Sequence, residues 1–397
     1  MTLSIRRIVV SWIMRTVAVP VLVSLSVCTA HAQTESTLYS FTCCVHETNL
    51  AIDKDGNLYG TTFADNGGTV YKVTPSGEYT LLYEFDQIDD GEIPLGGMTL
   101  DQQGNLYGTT EEGGPSRMGV IFEISSSGTE TTLYNFGCDP DGCYPRGSMV
   151  MDSQGNLYGA TRYGGNNYGT VFKFVPSTGT LTTLYSFTGG PDGCYPWSVT
   201  LDNAGNLYGT TAGGCGDLFG LVFKVTPSGV ETVLHSFSPN GKDGFYPKSG
   251  VVIDAQGNLY GTTLDGGAKG LGTVYKVSSK GKESILHSFK GKTDGISPQA
   301  SLALDASGNL YGTTQYGGSL DLGVVFKLVK TRETILHSFA FNGLDGAYPM
   351  AGVVFDAAGN LFGTTLVGGN SCPPNGCGII YKITPQTPAG SSIEDVR

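Results

Sequence analysis

Acidic and aromatic residues recur together in a short motif, Asp-Gly-x-Tyr-Pro, which returns along the chain at a spacing of about 50 residues. A ring of such carboxylates and aromatic side chains could stack against sugars or hold a peptide. The alternative is a rigid turn, in which Asp-Gly forms the bend, proline fixes φ and tyrosine packs on a neighbouring repeat. Repetition favours the turn, because structural roles repeat with a fold whereas binding sites break its symmetry. The candidate ligand-binding residues are Asp141, Tyr144, Asp192, Tyr195, Trp197, Asp243, Tyr246, Asp345 and Tyr348.

Three histidines, His235, His287 and His337, recur in a Leu-His-Ser-Phe motif and raise the question of a zinc site. Zinc requires ligand atoms at ~2.0–2.1 Å, whereas equivalent positions on successive repeats lie far apart, so we expect no metal site. The aspartates of a second motif, Asp-x-x-Gly-Asn, are expected to accept backbone N–H groups within a turn. Because no usable nucleophile, phosphate-loop or acid–base pattern is found, the sequence predicts no catalytic residue and no cofactor.

These motifs are positioned by a repeat whose signature is Gly-Asn-Leu-Tyr-Gly. Within each period, four short runs of apolar, aromatic and β-branched residues are separated by turn residues, which predicts four strands. Four strands in ~40–50 residues are typical of a propeller blade, whereas one coil of a β-solenoid takes ~20–30 residues. The sequence therefore predicts an all-β, seven-bladed β-propeller with four-stranded blades over residues 35–385. The signature asparagines are Asn57, Asn105, Asn156, Asn206, Asn258, Asn309 and Asn360.

The leucine and the tyrosine of the signature point to opposite faces of the second strand of each blade. Phe362 replaces the tyrosine in the last copy, where the hydroxyl is therefore dispensable. We accordingly expect these aromatic rings to act by apolar packing between blades.

The two ends of the repeat region predict how the ring closes. The last copy stops after its third strand, Ile379 to Ile383, and lacks a fourth. The segment Thr37 to Phe41 matches the fourth strand of other copies, such as Thr183 to Phe187. The N-terminal strand should therefore complete the last blade, which removes the open sheet edges that would invite aggregation.

Eight cysteines follow residue 32, all of them in loops that emerge on one face of the predicted propeller. An even number in an exported chain favours disulfides. Cys138 and Cys143 are candidate partners, as are Cys194 and Cys215. The other four lie beside the ring seam, where either Cys372 pairs with Cys377 or one or two bridges tie these residues to Cys43 and Cys44.

The N-terminal segment has the layout of a secretory signal peptide, predicted over residues 1–32, with a basic start, a short apolar run and a small-x-small cleavage signal. Its loss removes Arg6, Arg7 and Arg15, so the net charge of −12 becomes −15. An acidic chain without basic blocks is a poor match for nucleic acid, and no later run could span a membrane. Residues 386–397 form a short polar tail. We expect a monomer that is secreted or retained in the periplasm.

The repeat resembles the Gloeo/Verruco (GloVer) tandem-repeat family of bacterial exported proteins. The matching segments include Asp101 to Thr110, Asp305 to Thr314 and Gly169 to Lys173, together with the Leu-Tyr-Ser-Phe strands. The resemblance covers nearly all of residues 35–385 and implies a secreted or surface β-propeller, with no general activity attached to it.

Three functions remain open from the sequence. The first is a binding or scaffold module whose ligand is a polysaccharide or a surface protein. The second is a carbohydrate-active enzyme, a lyase or hydrolase with its site at the propeller mouth, which rests on fold analogy. The third is a purely structural envelope protein. In each case we expect function to lie where the repeat copies differ, on the cysteine-bearing face and near the ring seam.

Overall fold

The computed structural model describes residues 34–42, 49–63, 67–86, 89–213, 215, 219–292, 294–372 and 374–384. The predicted signal peptide, the predicted tail, and Cys43 and Cys44 lie outside these residues. All regular structure in the described part of the chain is β-strand, and no helix there is long and apolar enough to cross a membrane.

Seven antiparallel four-stranded sheets form the blades of a β-propeller, which confirms the predicted fold. From the first, innermost strand to the fourth, outermost strand, they are Ala51–Ile52, Leu58–Thr62, Thr69–Val73 and Tyr79–Glu84 in blade 1; Thr99–Leu100, Leu106–Thr110, Val120–Ile124 and Glu130–Asn135 in blade 2; Val150–Met151, Leu157–Tyr163, Thr170–Val175 and Thr180–Ser186 in blade 3; Pro196–Leu201, Leu207–Thr211, Leu221–Val225 and Glu231–Ser236 in blade 4; Val252–Ile253, Leu259–Thr263, Thr273–Val277 and Glu283–Ser288 in blade 5; Ala303–Leu304, Leu310–Thr314, Val324–Val329 and Arg332–Ser338 in blade 6; and Val354–Phe355, Leu361–Thr364, Ile379–Thr384 and Thr34–Ser40 in blade 7.

Short additional pairings fold the loops of one face against the blades. Cys143–Pro145 extends the sheet of blade 3. Gly244–Phe245 pairs with Asp265–Gly266, and Gly346–Ala347 pairs with Val367–Gly368. These pairings hold the segment before a first strand against the loop between the second and third strands.

The ring closes as predicted, because Thr34–Ser40 pairs antiparallel with Ile379–Thr384. Glu35 lies opposite Ile383, and the Phe41 amide donates to the Gly378 carbonyl at 3.0 Å. The first described strand of the chain therefore forms the outer edge of the last blade.

The same edge-to-face aromatic pair recurs at all seven blade interfaces. The phenylalanine that follows a fourth strand meets the aromatic ring in the middle of the third strand of the next blade, with ring centroids 5.0–5.5 Å apart. Such pairs add ~0.5–1.5 kcal/mol beyond the area they bury. The pairs are Phe41–Tyr71, Phe85–Phe122, Phe136–Phe172, Phe187–Phe223, Phe237–Tyr275, Phe289–Phe326 and Phe339–Tyr381.

The final glycine of the signature leaves room for this third-strand ring. In blade 2, a Cβ atom added to Gly108 would lie 2.4 Å from the ring of Phe122. In the other blades the corresponding distance is 2.3–2.7 Å, which no Cβ can tolerate. The ring of the third strand therefore requires glycine at this position of the second strand.

The aspartate of Asp-x-x-Gly-Asn closes the turn between the first and second strands, as predicted. In blade 5, Asp254 Oδ1 accepts the amides of Gln256 and Asn258 at 2.9 and 2.8 Å. Its Oδ2 accepts the Asn258 side chain at 2.7 Å and the Tyr260 hydroxyl at 2.9 Å. Burial alone would raise the pKa of Asp254, but these hydrogen bonds outweigh it and lower the pKa.

This hydroxyl corrects the expectation that the signature tyrosine acts by packing alone. The tyrosines of blades 1–6 all donate to their turn aspartate, at 2.9–3.4 Å. Only blade 7, with Phe362, lacks this bond. This role of the hydroxyl could not be predicted from the sequence, because the phenylalanine in one copy suggested that the hydroxyl is dispensable in every blade.

Candidate functional site

A cavity of about 300 Å³ opens on the axis of the propeller. Its lining includes the residue that directly follows the repeated proline, or its equivalent, in each of blades 2–7. Because each of these blades contributes one such residue, the cavity lies at the centre of the ring. The six residues are all different: Leu95, Arg146, Trp197, Lys248, Gln299 and Met350.

Small residues form the remaining wall, where the first strands converge. Gly147, Ser148, Ser198, Ser249, Gly250, Ala300 and Ser301 contribute, with Asn49 from blade 1. A Cβ on Gly147 would lie 2.1 Å from the Trp197 carbonyl oxygen. Asn49 Oδ1 accepts the Gly352 amide at 3.0 Å, so it also ties blade 1 to blade 7. Close approach of the strands thus keeps side chains short here and leaves an open space.

Trp197 and Arg146 form the most elaborate part of the lining. The Arg146 guanidinium carbon lies 5.9 Å from the centroid of the Trp197 ring, and Arg146 Nε donates to the buried carboxylate of Glu111. The Trp197 indole N–H is buried and has no hydrogen-bond partner. A buried donor without a partner costs about 1–3 kcal/mol, so this N–H is an unpaired polar group in the wall of the cavity.

On the opposite part of the lining, two amides and a thioether are linked. Gln299 Nε2 donates to Gln315 Oε1 at 3.1 Å, and Gln315 Nε2 lies 3.6 Å from Met350 Sδ. Lys248 is exposed at the cavity, and its charge opposes the burial that raises the pKa of the neighbouring Asp265. Arg146 and Lys248 are the only ionisable residues among the described residues that line the cavity, and both are cationic.

Of the nine ligand-binding candidates suggested by the sequence, Trp197 alone lines this cavity. The aspartates of Asp-Gly-x-Tyr-Pro instead bind the fourth strand of the preceding blade. Asp141 and Asp192 accept the hydroxyls of Tyr134 and Tyr185 at 2.6 and 2.9 Å. Asp243 and Asp345 lie 3.2 and 3.1 Å from Nε2 of His235 and His337, respectively. These contacts support the turn interpretation of the motif.

The tyrosines of the motif share one unusual backbone conformation. Tyr144, Tyr195, Tyr246 and Tyr348 have φ of +56° to +59°, which side-chain-bearing residues rarely adopt. Each amide donates to the loop between the second and third strands of the preceding blade, as Tyr195 does to the Tyr168 carbonyl at 2.8 Å. This sharp bend turns the chain inward, so that the residue two positions later reaches the axis.

Some of these tyrosine rings form a partly exposed aromatic cluster outside the cavity. Tyr163 lies 5.9 Å from Tyr144 and 5.1 Å from Tyr195 between ring centroids. The Arg162 guanidinium lies 5.0 Å from the Tyr163 centroid and 6.0 Å from that of Tyr195. Blades 3 and 4 therefore carry an aromatic and cationic surface on the face where the cavity opens.

Three disulfides lie in the loops of this same face. Cys138–Cys143 and Cys194–Cys215 form as the sequence suggested, with Cα atoms 4.5 and 6.3 Å apart. At the seam the local alternative, Cys372–Cys377, is the one present. Cys194–Cys215 joins the loop that precedes blade 4 to the loop between its second and third strands, so it holds the segment around Trp197.

The interface between blades 3 and 4 contains two facing carboxyl groups. Hydrogen bonds from Thr188 and Tyr185 lower the pKa of Asp192, although burial acts in the opposite direction. Glu231, on the next blade, has a buried Oε1 without a hydrogen-bond partner. Burial, and then the charge of Asp192, raise the pKa of Glu231 to about 7. Asp192 is therefore ionised over a pH range in which Glu231 still holds its proton.

We expect Glu231→Gln to change the pH dependence of stability. The folded protein holds the Glu231 proton more tightly than the unfolded chain, so this carboxyl favours folding below its ordinary pKa of 4.5, and that advantage is lost as the pH rises to about 7. Glutamine does not ionise, so the variant should gain stability relative to the parent between about pH 5 and pH 8. Thermal unfolding at both pH values measures this gain. Glu84→Gln, at an exposed position, is the control; an equal gain in the two variants would contradict the prediction.

The sequence matches the model of the Gloeobacter/Verrucomicrobia repeat over residues 46–252 and 199–394. Since these matches cover most of its length, the chain belongs to this family. No curated protein matches it.

Solved propellers share the fold at low sequence identity. One is assigned as the extracellular domain of a hybrid two component system from B. thetaiotaomicron, with a TM-score of 0.60 and 12% identity. The match covers 89% of this chain and only 40% of that one. Another is the oligogalacturonate lyase of Vibrio parahaemolyticus, with a TM-score of 0.56, 13% identity and coverage of 89% of this chain and 97% of that one. At such identities the likeness concerns the fold alone.

Proposed function

We propose that this member of the Gloeobacter/Verrucomicrobia repeat family is an exported binding module that holds an acidic saccharide in its axial cavity. The observation that carries the proposal is the position after the repeated proline. Its neighbours repeat from blade to blade, yet this residue differs in each of blades 2–7, and all six copies meet in one cavity. A purely structural ring has no need for such variation at its centre.

The charge of the residues that line the cavity indicates the class of ligand. The whole chain has a net charge of −12, but the two ionisable residues among the described lining residues are Arg146 and Lys248. Trp197 offers an aromatic ring, and serines and side-chain amides supply hydrogen-bonding groups. A carboxylate-bearing sugar fits this combination, because it presents an anion, hydroxyls and an apolar ring face together. The cavity volume, about 300 Å³, lies at the small end of ligand pockets, which suits one end of an oligosaccharide.

Binding is favoured over catalysis by the same lining. No histidine or carboxylate is found among the described residues that line the cavity, so these residues offer no paired acid and base. The lyase that shares the fold is named for an acidic saccharide, oligogalacturonate. The extracellular domain from B. thetaiotaomicron is an example of the same fold outside the cell. The three disulfides and the N-terminal signal pattern support export.

Calorimetric titration with trigalacturonate, and with the neutral maltotriose for comparison, tests the proposal. We expect the acidic sugar to bind, and Lys248→Gln or Trp197→Ala to weaken binding by about tenfold or more, as expected for loss of a charge-assisted contact or a stacked ring. Lys280→Gln removes the same charge from an exposed turn and is the matched control, with unchanged affinity.

Two outcomes would overturn this function. Equal or absent binding of the two sugars would exclude selection by charge. Release of an unsaturated uronate, seen by its ultraviolet absorbance, would show that the protein is a lyase and not a binding module.

A further inference from the structure

A second kind of site lies away from the axis, between the outer edges of neighbouring blades. At three successive interfaces, a histidine on a fourth strand meets the aspartate of the following loop and a glutamate on the fourth strand of the next blade. The possible ligand atoms of each cluster lie within 4.8 Å of one another. The clusters are His235, Asp243 and Glu283 between blades 4 and 5; His287, Asp294 and Glu333 between blades 5 and 6; and His337, Asp345 and Glu35 between blades 6 and 7.

The cluster between blades 5 and 6 is the most enclosed. His287 Nε2 lies 3.2 Å from Asp294 Oδ2 and 3.4 Å from Glu333 Oε2. The three side chains are only 9, 9 and 10% exposed. Asp294 Oδ1 accepts the Lys290 amide at 2.8 Å, but Glu333 Oε1 is buried without any partner. The other two clusters likewise contain buried carboxylate oxygens without partners, on Glu35, Asp243 and Glu283.

These distances suit a metal ion held by three protein ligands. Zinc binds nitrogen and oxygen ligands at ~2.0–2.1 Å with tetrahedral angles, which places its ligand atoms about 3.3 Å apart. The separations of His287 Nε2 from the two carboxylate oxygens, 3.2 and 3.4 Å, lie on either side of that value. Buried carboxyl groups are normally paired, protonated or bound to metal, and Glu333 Oε1 has no hydrogen-bond partner. A divalent cation would balance both charges and leave one coordination position for water.

Three other blade interfaces have tyrosine in place of the histidine and serve as a comparison. Tyr83, Tyr134 and Tyr185 occupy the histidine position in blades 1–3, and each donates its own hydroxyl proton to the loop aspartate. Leu181 stands at the position of the glutamate in one of these interfaces. All three histidine interfaces contain both carboxylates, and so does the tyrosine interface between blades 3 and 4, with Asp192 and Glu231. Histidine adds a nitrogen lone pair to the two carboxylates, which makes a set of three ligands.

We propose that each of the three clusters binds one first-row divalent cation, with zinc the best match, and that the ion clamps neighbouring blades together at their outer edges. The sequence excludes only a single ion that all three histidines would share. The structure keeps them on separate blades and gives each its own pair of carboxylates. This inference does not depend on the axial cavity.

Exchanging histidine and tyrosine within the repeat tests the proposal, because both residues occur naturally at this position with an aspartate partner. The whole protein, freed of metal by a chelator, is titrated calorimetrically with zinc chloride. The variant with His235→Tyr, His287→Tyr and His337→Tyr measures background binding at other groups. Above that background we expect three zinc ions for the parent, two for His287→Tyr and four for Tyr185→His, which places an imidazole beside Asp192 and Glu231.

Thermal unfolding gives a second readout, since zinc should raise the midpoint of the parent and not that of the triple variant. Glu333→Gln keeps the size of the side chain and should also remove one ion, so the test survives if His287→Tyr folds poorly. The proposal is overturned if the parent and the triple variant bind equal amounts of zinc. It is also overturned if Tyr185→His folds and gains no ion. Sugar binding should be unaffected in all these variants, which separates a failure here from a failure at the axial cavity.

Discussion

A chain that begins at residue 43, and so lacks Thr34–Ser40 and Phe41, is expected to lose its stable closed ring. Blade 7 would keep only three strands and would expose the edge of Ile379–Thr384. Phe41 is 2% exposed and packs against Tyr71 of blade 1, so its removal alone should cost about 3–5 kcal/mol. The loss of a whole strand comes in addition. Because the total stability of a folded protein is only about 5–15 kcal/mol, the two losses together should be enough to unfold the closed ring.

The measurement is thermal unfolding together with size-exclusion chromatography. We expect a much lower midpoint for the shortened chain, and association of its molecules through the free strand edge. A chain that begins at residue 33 is the control and should behave like the parent. A synthetic peptide of residues 33–42 should restore the midpoint when it is added in excess. An unchanged midpoint in the shortened chain would mean that the N-terminal strand does not hold the ring closed.

Gly108→Ala is expected to destabilise the protein by about 1–3 kcal/mol, the usual cost of overpacking a core. The new methyl group would lie 2.4 Å from the ring of Phe122, which is fully buried and itself packs against Phe85 of the preceding blade. The ring cannot move away without breaking that contact. The expected loss is therefore larger than for an ordinary exchange of glycine for alanine.

Gly137→Ala in the same blade is the matched control, because its nearest neighbour, Asp141 Oδ2, would be 3.7 Å from the added Cβ and the residue is exposed. Urea unfolding should show a change within about 0.5 kcal/mol for this variant. Phe122→Leu, added to Gly108→Ala, should recover part of the loss by freeing space. Equal destabilisation by the two alanines would contradict the packing explanation.

Much of the fold could be predicted because each copy of the repeat has the same motifs at equivalent positions. The signature turn, the four strands and the ring closure each depend on patterns within one copy or on a comparison of two copies. The choice between Cys372–Cys377 and a bridge across the seam could not be made in this way, because the sequence places all four candidate cysteines beside the same predicted seam.

The axial cavity was harder to predict. Asp-Gly-x-Tyr-Pro drew attention because it repeats, yet the lining residue is the one just after it. Only the positive-φ bend at residues such as Tyr195 shows that the following position turns inward. The disagreement between copies at Arg146, Trp197 and Lys248 was visible in the sequence, and it is the signal that could have identified the cavity.

The His–Asp–Glu clusters were beyond the reach of sequence reasoning for a different reason. His287 and Asp294 are close in the chain, but Glu333 comes from the next blade. How adjacent blades pack decides whether the glutamate reaches the histidine, and no pattern within a single copy reports that packing.

Closure by Thr34–Ser40 also has a consequence for the order of events during synthesis. A ribosome makes this strand before every blade, yet its partner, Ile379–Thr384, is made after all the others. Thr34–Ser40 must therefore wait unpaired while the intervening sheets form, and the ring can close only after Ile379–Thr384 has been made. Blades 1–6 can each form from neighbouring segments as they emerge, whereas blade 7 depends on the slowest encounter in the molecule, between its two distant ends.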